Sequence, residues 1–410
     1  MRRTIAFSAI AELGATLSMV LTFRIANDRW GIVGFSEWIL ARRLLAFLLP
    51  VLTLGMDVGL PRAIAKSHIA GAEAYLLAAV AIVIATTVFS GAVLLPVDGW
   101  VARVVFGDSA RSPLVAPIVL ISAAYAFHIL VYGYLRGRLR IMEANLAHIL
   151  AFGVIPLVVL LVANSSVATA ISATAAVIFL AAGVFLAVNL RFAERSGAVF
   201  REQVAELAHY GGPRMIAALL LMALSLFPAS LVAFRSGIEA AGFVALAFSV
   251  VGLAGSACSP LGVVLLPLAA SMWAKGRRAE LLWEFRRLEK ILLLLGIAAI
   301  VVIPVCAPVL AWIFLGERDP ELLTALRLSG LAAAPFIYFV CARQVVDACS
   351  VDAWNTRNLL IAVASFAAAW FAFGAIGLDS IVVAMLSYAC SMLVLALLTA
   401  RTVRRLLKGE

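Results

Sequence analysis

Three charged residues interrupt a stretch that is otherwise apolar enough to cross a membrane. Residues 38–60 are mostly apolar, and roughly 20 such residues span a bilayer as a helix, yet they include Arg42, Arg43 and Asp57. At about 100° per residue, one continuous helix would place these three side chains on one face. A charge at the bilayer centre costs roughly 2.5–3.5 kcal/mol, so we expect this face to meet a polar cavity. The alternative is that the side chains reach the headgroups from near the helix ends.

Other polar residues fall within further apolar stretches. Tyr125, His128 and Tyr132 are spaced by three and four residues, so they share one helical face and are candidate cavity-lining residues. Tyr and His near the end of a span also commonly pack at the membrane interface. Glu12 lies midway along the first apolar stretch, where it could carry a coupling proton, pair with an arginine or stay neutral. Asp57 is a candidate counter-charge for the arginines or a coupling-ion site.

The composition excludes a soluble globular protein, because 65% of the 410 residues are hydrophobic and only 13% are charged. The apolar runs are continuous and do not alternate, which excludes a membrane β-barrel and leaves helices. We therefore predict an all-α polytopic membrane protein with about twelve transmembrane helices. The predicted spans are residues 5–24, 38–60, 74–95, 114–135, 146–163, 167–189, 214–234, 242–270, 291–315, 323–342, 359–377 and 380–400. The five cysteines show no metal-ligand spacing, so neither a metal nor a cofactor is expected.

The basic residues predict the orientation of the chain. The net charge is +10, but Lys and Arg occur in short clusters between apolar runs, a pattern typical of cytoplasmic loops and not of a nucleic-acid surface. One alternating set of segments holds 23 of the 32 Lys and Arg residues. That set is the N-terminus, 61–73, 136–145, 190–214, 274–290, 343–358 and the C-terminus. Both termini are therefore predicted to be cytoplasmic.

Parts of the sequence repeat at an offset of about 208 residues. Gly34-Phe35 precedes the second predicted span, and Gly242-Phe243 precedes the eighth. Six spans followed by six keep the same membrane orientation, so the repeat predicts two six-helix lobes related by a pseudo-two-fold axis along the membrane normal. The predicted lobes are residues 1–190 and 214–410, and residues 191–213 are predicted to form a cytoplasmic linker.

The repeat also predicts that Arg24 and Arg235 occupy equivalent positions, each near the outer end of the first helix of its lobe. Two related arginines could face one central cavity, or each could anchor a helix end at the headgroups. With Arg42 and Arg43, they are the candidate ligands for a negatively charged group, because guanidinium is planar and always charged. We predict that alanine at Arg24 or Arg235 abolishes transport and that lysine restores it only partly.

Several motifs resemble those of the O-antigen and exopolysaccharide flippases of the MOP (multidrug/oligosaccharidyl-lipid/polysaccharide) superfamily. They are residues 54–60 (LGMDVGL), 61–65 (PRAIA), 209–213 (HYGGP), Gly242-Phe243, Leu266-Pro267, Ala307-Pro308 and residues 312–314 (WIF).

The resemblance implies two lobes that alternate between inward-open and outward-open states. The implied cargo is an oligosaccharide on undecaprenyl pyrophosphate, moved from the cytoplasmic to the periplasmic leaflet of the bacterial inner membrane. The product would be O-antigen of lipopolysaccharide, capsule or another exopolysaccharide. A guanidinium group can donate two parallel hydrogen bonds to phosphate oxygens, so arginine side chains are suited to binding a pyrophosphate. Membrane lipids, a proton or sodium ion and other polysaccharide-assembly proteins are the remaining candidate partners; nucleic acid is not.

Two other functions compete with this interpretation. A cation-coupled multidrug antiporter of the same superfamily would need carboxylates and aromatic residues without a cluster of arginines, which repel a cation. A membrane glycan-processing enzyme would need acids, bases or nucleophiles gathered in a sizeable loop or pocket. The predicted periplasmic loops are short and no phosphate-binding GxxxxGK[ST] motif is present, so we predict that the protein is not an enzyme.

Overall fold

The structure is a computed structural model of the 410-residue chain. It describes residues 2–66, 71–162, 165–190, 197–350 and 353–408, without the side chains of residues 2–13, 197–199, 259–260, 262–264 and 267. The secondary structure within these ranges is entirely helical.

Fourteen α-helices make up the described chain, joined in places by short 3₁₀ turns and one π-helical turn, Leu150–Val154. They are α1 (Arg2–Thr53), α2 (Met56–Lys66), α3 (Ala72–Leu94), α4 (Asp98–Phe106), α5 (Val115–Gly137), α6 (Ile141–Ile149), α7 (Ile155–Val162), α8 (Val167–Leu190), α9 (Gly197–Ser236), α10 (Ile238–Ala274), α11 (Arg278–Leu315), α12 (Pro320–Cys349), α13 (Trp354–Ala375) and α14 (Ser380–Lys408). Eleven helical segments of the described residues are long and apolar enough to cross a membrane.

The first of these segments contains a reversal of the chain at Gly31. This residue has φ 65° and ψ −174°, a conformation essentially restricted to glycine. The rings of Phe23 and Phe35 meet edge to face at 5.9 Å, and the Arg42 guanidinium lies 5.8 Å from the Phe23 ring centre. In a straight helix these pairs would be separated by about 18 and 28 Å. The chain therefore folds back at Gly31, and counting the two arms of α1 separately agrees with the predicted twelve spans.

A second break separates α1 from α2 and corrects one prediction. Leu54 and Gly55 both have positive φ, 45° and 72°, so the helix stops at Thr53 and a new one begins at Met56. The expectation of one continuous helix over residues 38–60 is wrong. The shared face of Arg42, Arg43 and Asp57 fails with it, because it assumed an uninterrupted rotation of about 100° per residue.

The break packs directly against α9. A Cβ placed on Gly211 of α9 would lie 2.0 Å from the Leu54 carbonyl oxygen, and one on Gly55 would lie 2.6 Å from the Gly211 oxygen. Two backbones approach this closely only where neither residue carries a side chain. The break is therefore held in place by a contact between two glycines.

The chain forms two compact units, Met1–Met222 and Ala223–Glu410, and the boundary lies within α9. In the first unit α5 is the central helix and packs against α1, α2, α3 and α8. In the second unit α12 is central and packs against α10, α11 and α14. Each unit therefore surrounds one largely buried helix with its neighbours.

The same special backbone geometry recurs in both units. Gly31 divides the two arms of α1, and Gly237, with φ 91° and ψ 172°, divides α9 from α10. Gly107 ends α4 in a left-handed conformation with φ 77°, and Gly316 ends α11 in the same way with φ 78°. Positions that require glycine are fixed by backbone sterics, so their recurrence supports the predicted internal repeat.

An aspartate caps the helix that follows each left-handed glycine. Asp108 accepts a hydrogen bond from the Ala110 amide, and Asp319 accepts from the amides of Glu321 and Leu322. A side-chain acceptor satisfies amides that have no partner within the first helical turn. The entry to the central helix of each unit is thus built in the same manner.

Candidate functional site

A cavity of about 170 Å³ lies inside the first unit, between the second arm of α1, α5, the π turn, α7 and α8. Most of its wall is apolar, including Trp38 and Phe152, while Arg42, Tyr125 and Thr174 contribute polar atoms. Of the twelve residues that line this cavity, only Arg42 is charged at neutral pH. The cavity is therefore an apolar pocket with one cation in its wall.

Arg42 is positioned by the fold of α1. It lies in the second arm, eleven residues after Gly31, and the reversal brings its guanidinium over the Phe23 ring. Among the described residues it has no hydrogen-bond or ion-pair partner; its guanidinium lies 5.8 Å from the centre of the Phe23 ring and is close enough to Tyr125 to interact with it electrostatically. A guanidinium carries five N–H donors, and leaving them unsatisfied in an apolar site is costly. The arrangement is suited to a ligand that brings negative charge and hydrogen-bond acceptors.

Tyr125 forms another part of the wall. Its side chain is only 3% exposed, its hydroxyl donates to the Ala151 carbonyl over 3.0 Å, and its ring stacks on Phe152 at 4.4 Å. Ala151 and Phe152 lie in the π turn, where the wider helical turn disturbs the regular hydrogen bonding; such turns occur often at functional sites. The turn thus supplies both partners of Tyr125.

The other two members of the predicted aromatic face pack against α6 and do not line this cavity. His128 is 5% exposed, and its buried Nε2 has no partner within the described part of the chain. Its ring lies 6.3 Å from His148 and 5.7 Å from Phe152, and the Tyr132 ring lies 5.2 Å from His148. Sequence reasoning missed His148 and Phe152, although their four-residue spacing within a predicted span would have placed them on one face.

Arg24 and Arg235 have different surroundings. Arg24 is partly exposed and forms an ion pair with Asp28, Nε to Oδ2, at 3.0 Å. Arg235 is exposed, and its guanidinium lies 4.9 Å from the centre of the Trp370 ring. Neither residue lines the cavity around Arg42.

The predicted equivalence of Arg24 and Arg235 is wrong. Arg235 lies two residues before the Gly237 junction, whereas Arg24 lies seven residues before Gly31. The residue two before Gly31 is Arg29, which donates to the Leu161 carbonyl at the end of α7 over 2.6 Å. The predicted equivalence came from matching Phe23-Arg24 with Phe234-Arg235, which lie 211 residues apart, whereas Gly31 and Gly237 lie 206 residues apart.

The remaining candidates are dispersed. Arg43 is half-buried on α1 and does not line the cavity. Asp57 is exposed on α2, a separate helix from the arginines. The side chain of Glu12 lies outside the described residues.

No protein-family model matches the chain, and no curated protein matches it in sequence. Solved structures do match. An inward-facing multidrug resistance MATE family transporter of the MOP superfamily superposes with a TM-score of 0.82 at 15% identity, covering 98% of both chains. An outward-facing structure of such a transporter gives 0.70 at 15% identity, covering 98% of this chain and 96% of the other. The chain has the MATE fold.

A third matching structure is described by the polarity of its binding pocket. It is a MOP superfamily transporter from Pyrococcus furiosus Vc1, described as having a binding pocket of reversed polarity that suggests a different function. Its TM-score is 0.59 at 16% identity, covering 96% of both chains.

The MATE fold confirms the predicted all-helical multi-pass architecture. The similar proteins are described as transporters. These comparisons do not distinguish an O-antigen flippase from a multidrug transporter, because proteins of one fold can carry different cargo.

Proposed function

We propose that this protein is a secondary transporter working by alternating access, and that Arg42 binds a negatively charged group of its cargo. The observation that supports this proposal is the Arg42 guanidinium in the wall of the cavity, which has no hydrogen-bond or ion-pair partner among the side chains that the structure describes. In an apolar site the attraction between that cation and an anion is strengthened, and a charge-assisted hydrogen bond contributes about 1.5–3 kcal/mol.

The cargo we propose is an oligosaccharide linked to undecaprenyl pyrophosphate, moved from the cytoplasmic to the periplasmic leaflet of a bacterial inner membrane. The cavity is small, about 170 Å³, so we propose that it receives the phosphate end of this cargo and not the sugar chain. Cytoplasmic termini, proton or sodium coupling and cooperation with polysaccharide-assembly proteins are parts of the same proposal.

The second candidate function is multidrug antiport, and the fold comparisons favour it over lipid-linked oligosaccharide flipping. The structures with TM-scores of 0.82 and 0.70 are both described as multidrug resistance transporters. Arg42 would repel a cationic drug, which argues against this second function. The Pyrococcus protein of the same fold is described as having a pocket of reverse polarity that suggests a different function. The charge of the cargo is therefore what separates the two functions.

The experiment compares an anionic and a cationic cargo in the same proteoliposomes. The purified protein is reconstituted, and transport of a fluorescent polyprenyl-pyrophosphate saccharide and of a fluorescent lipophilic cation is followed under proton and sodium gradients. We expect the anionic cargo to be moved, with a loss of at least tenfold in Arg42→Ala and a smaller loss in Arg42→Lys. Arg103→Ala, which changes an exposed arginine on α4, serves as the matched control and should transport normally.

The opposite result is equally clear. If the cation is transported and the anionic lipid is not, with Arg42→Ala equal to or faster than the wild type, the protein is a multidrug antiporter and the cavity does not bind an anion.

A further inference from the structure

The second unit contains a much larger cavity, of about 1010 Å³, between α11, α12 and α14. Along most of its length the walls are apolar, with Leu292 and Ile300 on α11 and Leu393 and Leu397 on α14. The lining residues of α11 extend from Glu289 to Ile300, about 16 Å of helix. We call this feature the C-terminal groove; it is separate from the cavity around Arg42.

One end of the C-terminal groove is strongly basic. Arg401, Arg404, Arg405 and Lys408 all line it, and their spacing of three, four and seven residues places them on one face of α14. Glu289, eleven residues into α11, and Arg404 near the end of α14 meet at this end of the groove, in segments predicted to be cytoplasmic. Four cationic side chains therefore lie at one end of the C-terminal groove.

The carboxylate at this end is already engaged. Glu289 is the one acidic residue among those lining the groove, and its Oε1 accepts hydrogen bonds from the Tyr338 hydroxyl at 2.9 Å and from Arg404 at 3.0 Å. Its side chain is 16% exposed, whereas that of Arg404 is 58% exposed. Arg401 has no hydrogen-bond or ion-pair partner among the described residues. The groove end thus keeps a net positive charge.

We propose that the C-terminal groove binds an anionic glycerophospholipid, with its phosphate at Arg401, Arg404 and Lys408 and an acyl chain along α11 and α14. Basic pockets between transmembrane helices on the cytoplasmic side suit anionic headgroups, and a chain with a phosphate at one end matches a trough with cations at one end. A neutral lipid would fit the apolar part of the C-terminal groove but would bring no anionic group to the basic side chains at its end. The site lies outside the proposed transport chemistry and does not depend on it.

Native mass spectrometry of the purified full-length protein tests this assignment. The protein is titrated with phosphatidylglycerol or phosphatidylcholine of identical acyl chains. We expect one phosphatidylglycerol to be retained with at least tenfold preference over phosphatidylcholine. Arg401→Gln/Lys408→Gln should abolish the preference, and Arg286→Gln/Arg287→Gln, which removes two exposed charges from the same end of α11, should keep it. Ala389→Trp, which fills the apolar trough without changing charge, should weaken retention of both lipids.

Three results would overturn the proposal. Equal retention of the two phospholipids would show ordinary bilayer contact. Unchanged preference in the Arg401→Gln/Lys408→Gln variant would place the anionic lipid elsewhere. Displacement of phosphatidylglycerol by a polyprenyl phosphate at equal concentration would assign the groove to the cargo's lipid tail. Size-exclusion profiles matching the wild type establish that each variant is folded.

Discussion

The two units share their turns but not their charges. In the first unit the second transmembrane arm and α2, residues 32–66, carry six charged residues, whereas α10 of the second unit has no charged residue between Glu239 and Lys275. The six are Glu37, Arg42, Arg43, Asp57, Arg62 and Lys66. Eleven to thirteen residues after Gly237, where Arg42 would have its counterpart, residues 248–250 are Phe, Ser and Val.

The cavities differ in the same way. The first unit has a small cavity with a cation midway along a transmembrane arm, and the second has a large groove whose charges are confined to one end. Backbone junctions such as Gly31 and Gly237 are constrained by sterics, while side chains that face a cavity are free to change. The repeat therefore preserves the scaffold, and function is a property of each unit separately.

The largest stability effect should come from the glycine contact of the first unit. Gly211→Ala would place a Cβ 2.0 Å from the Leu54 carbonyl oxygen, a backbone atom that cannot rotate away, so we expect destabilisation of about 3 kcal/mol. Gly212→Ala is the matched control, because a Cβ there meets nothing within 4 Å and alanine favours a helix. The midpoint of thermal unfolding in detergent should fall for the first variant and stay or rise for the second.

A close approach in the second unit sharpens this contrast. A Cβ on Gly255 would lie 2.4 Å from the Phe336 ring, a side chain that can change rotamer. Gly255→Ala should therefore cost less than Gly211→Ala. If Gly255→Ala lowers the free energy of unfolding more than Gly211→Ala, the contact in the second unit is the one that relaxes less around an added methyl group.

Hydropathy predicted the helices well because each span is a long, continuous apolar run. It did not predict the break at Leu54-Gly55, because a glycine in an apolar run is compatible with an uninterrupted helix. The contact that stabilises the break, Gly211, is more than 150 residues away in the sequence. The position of Asp57 could therefore not be inferred from helical periodicity.

The site was predicted only in part for a related reason. Arg42 and Tyr125 were candidates, and the structure places both in one cavity wall. The π turn that supplies Ala151 and Phe152 has no signature in the hydrophobic period, so these partners were missed. The internal repeat was predicted from short sequence matches, but these paired Arg24 with Arg235 incorrectly. The junctions of the two units are marked by the positive φ of Gly31 and Gly237, which a sequence does not show.

Alanine substitutions at Gly31 and Gly237 test whether the two junctions contribute equally to stability. Gly31→Ala and Gly237→Ala each introduce a Cβ where φ is positive and ψ is extended, which costs about 1–3 kcal/mol although no atom lies within 4 Å. We expect the two variants to lower the unfolding midpoint by similar amounts. Gly183→Ala, in α8 with equal space around it but without positive φ, should not lower it. A loss at only one junction would show that the two reversals are not equivalent.

The smallest effect is expected at the arginines that precede these junctions. Arg29 donates to the end of α7, the fifth span of its unit, and Arg235 lies over Trp370 near the end of α13, the fifth span of the other. An exposed cation–π contact contributes about 0.5–1 kcal/mol, and an exposed hydrogen bond a similar amount. Arg29→Ala and Arg235→Ala should therefore lower the unfolding midpoint slightly and leave transport in proteoliposomes intact. If Arg235→Ala instead abolishes transport at unchanged stability, while Arg29→Ala does not, Arg235 contacts the cargo as the sequence predicted, and the two units have diverged at this position also.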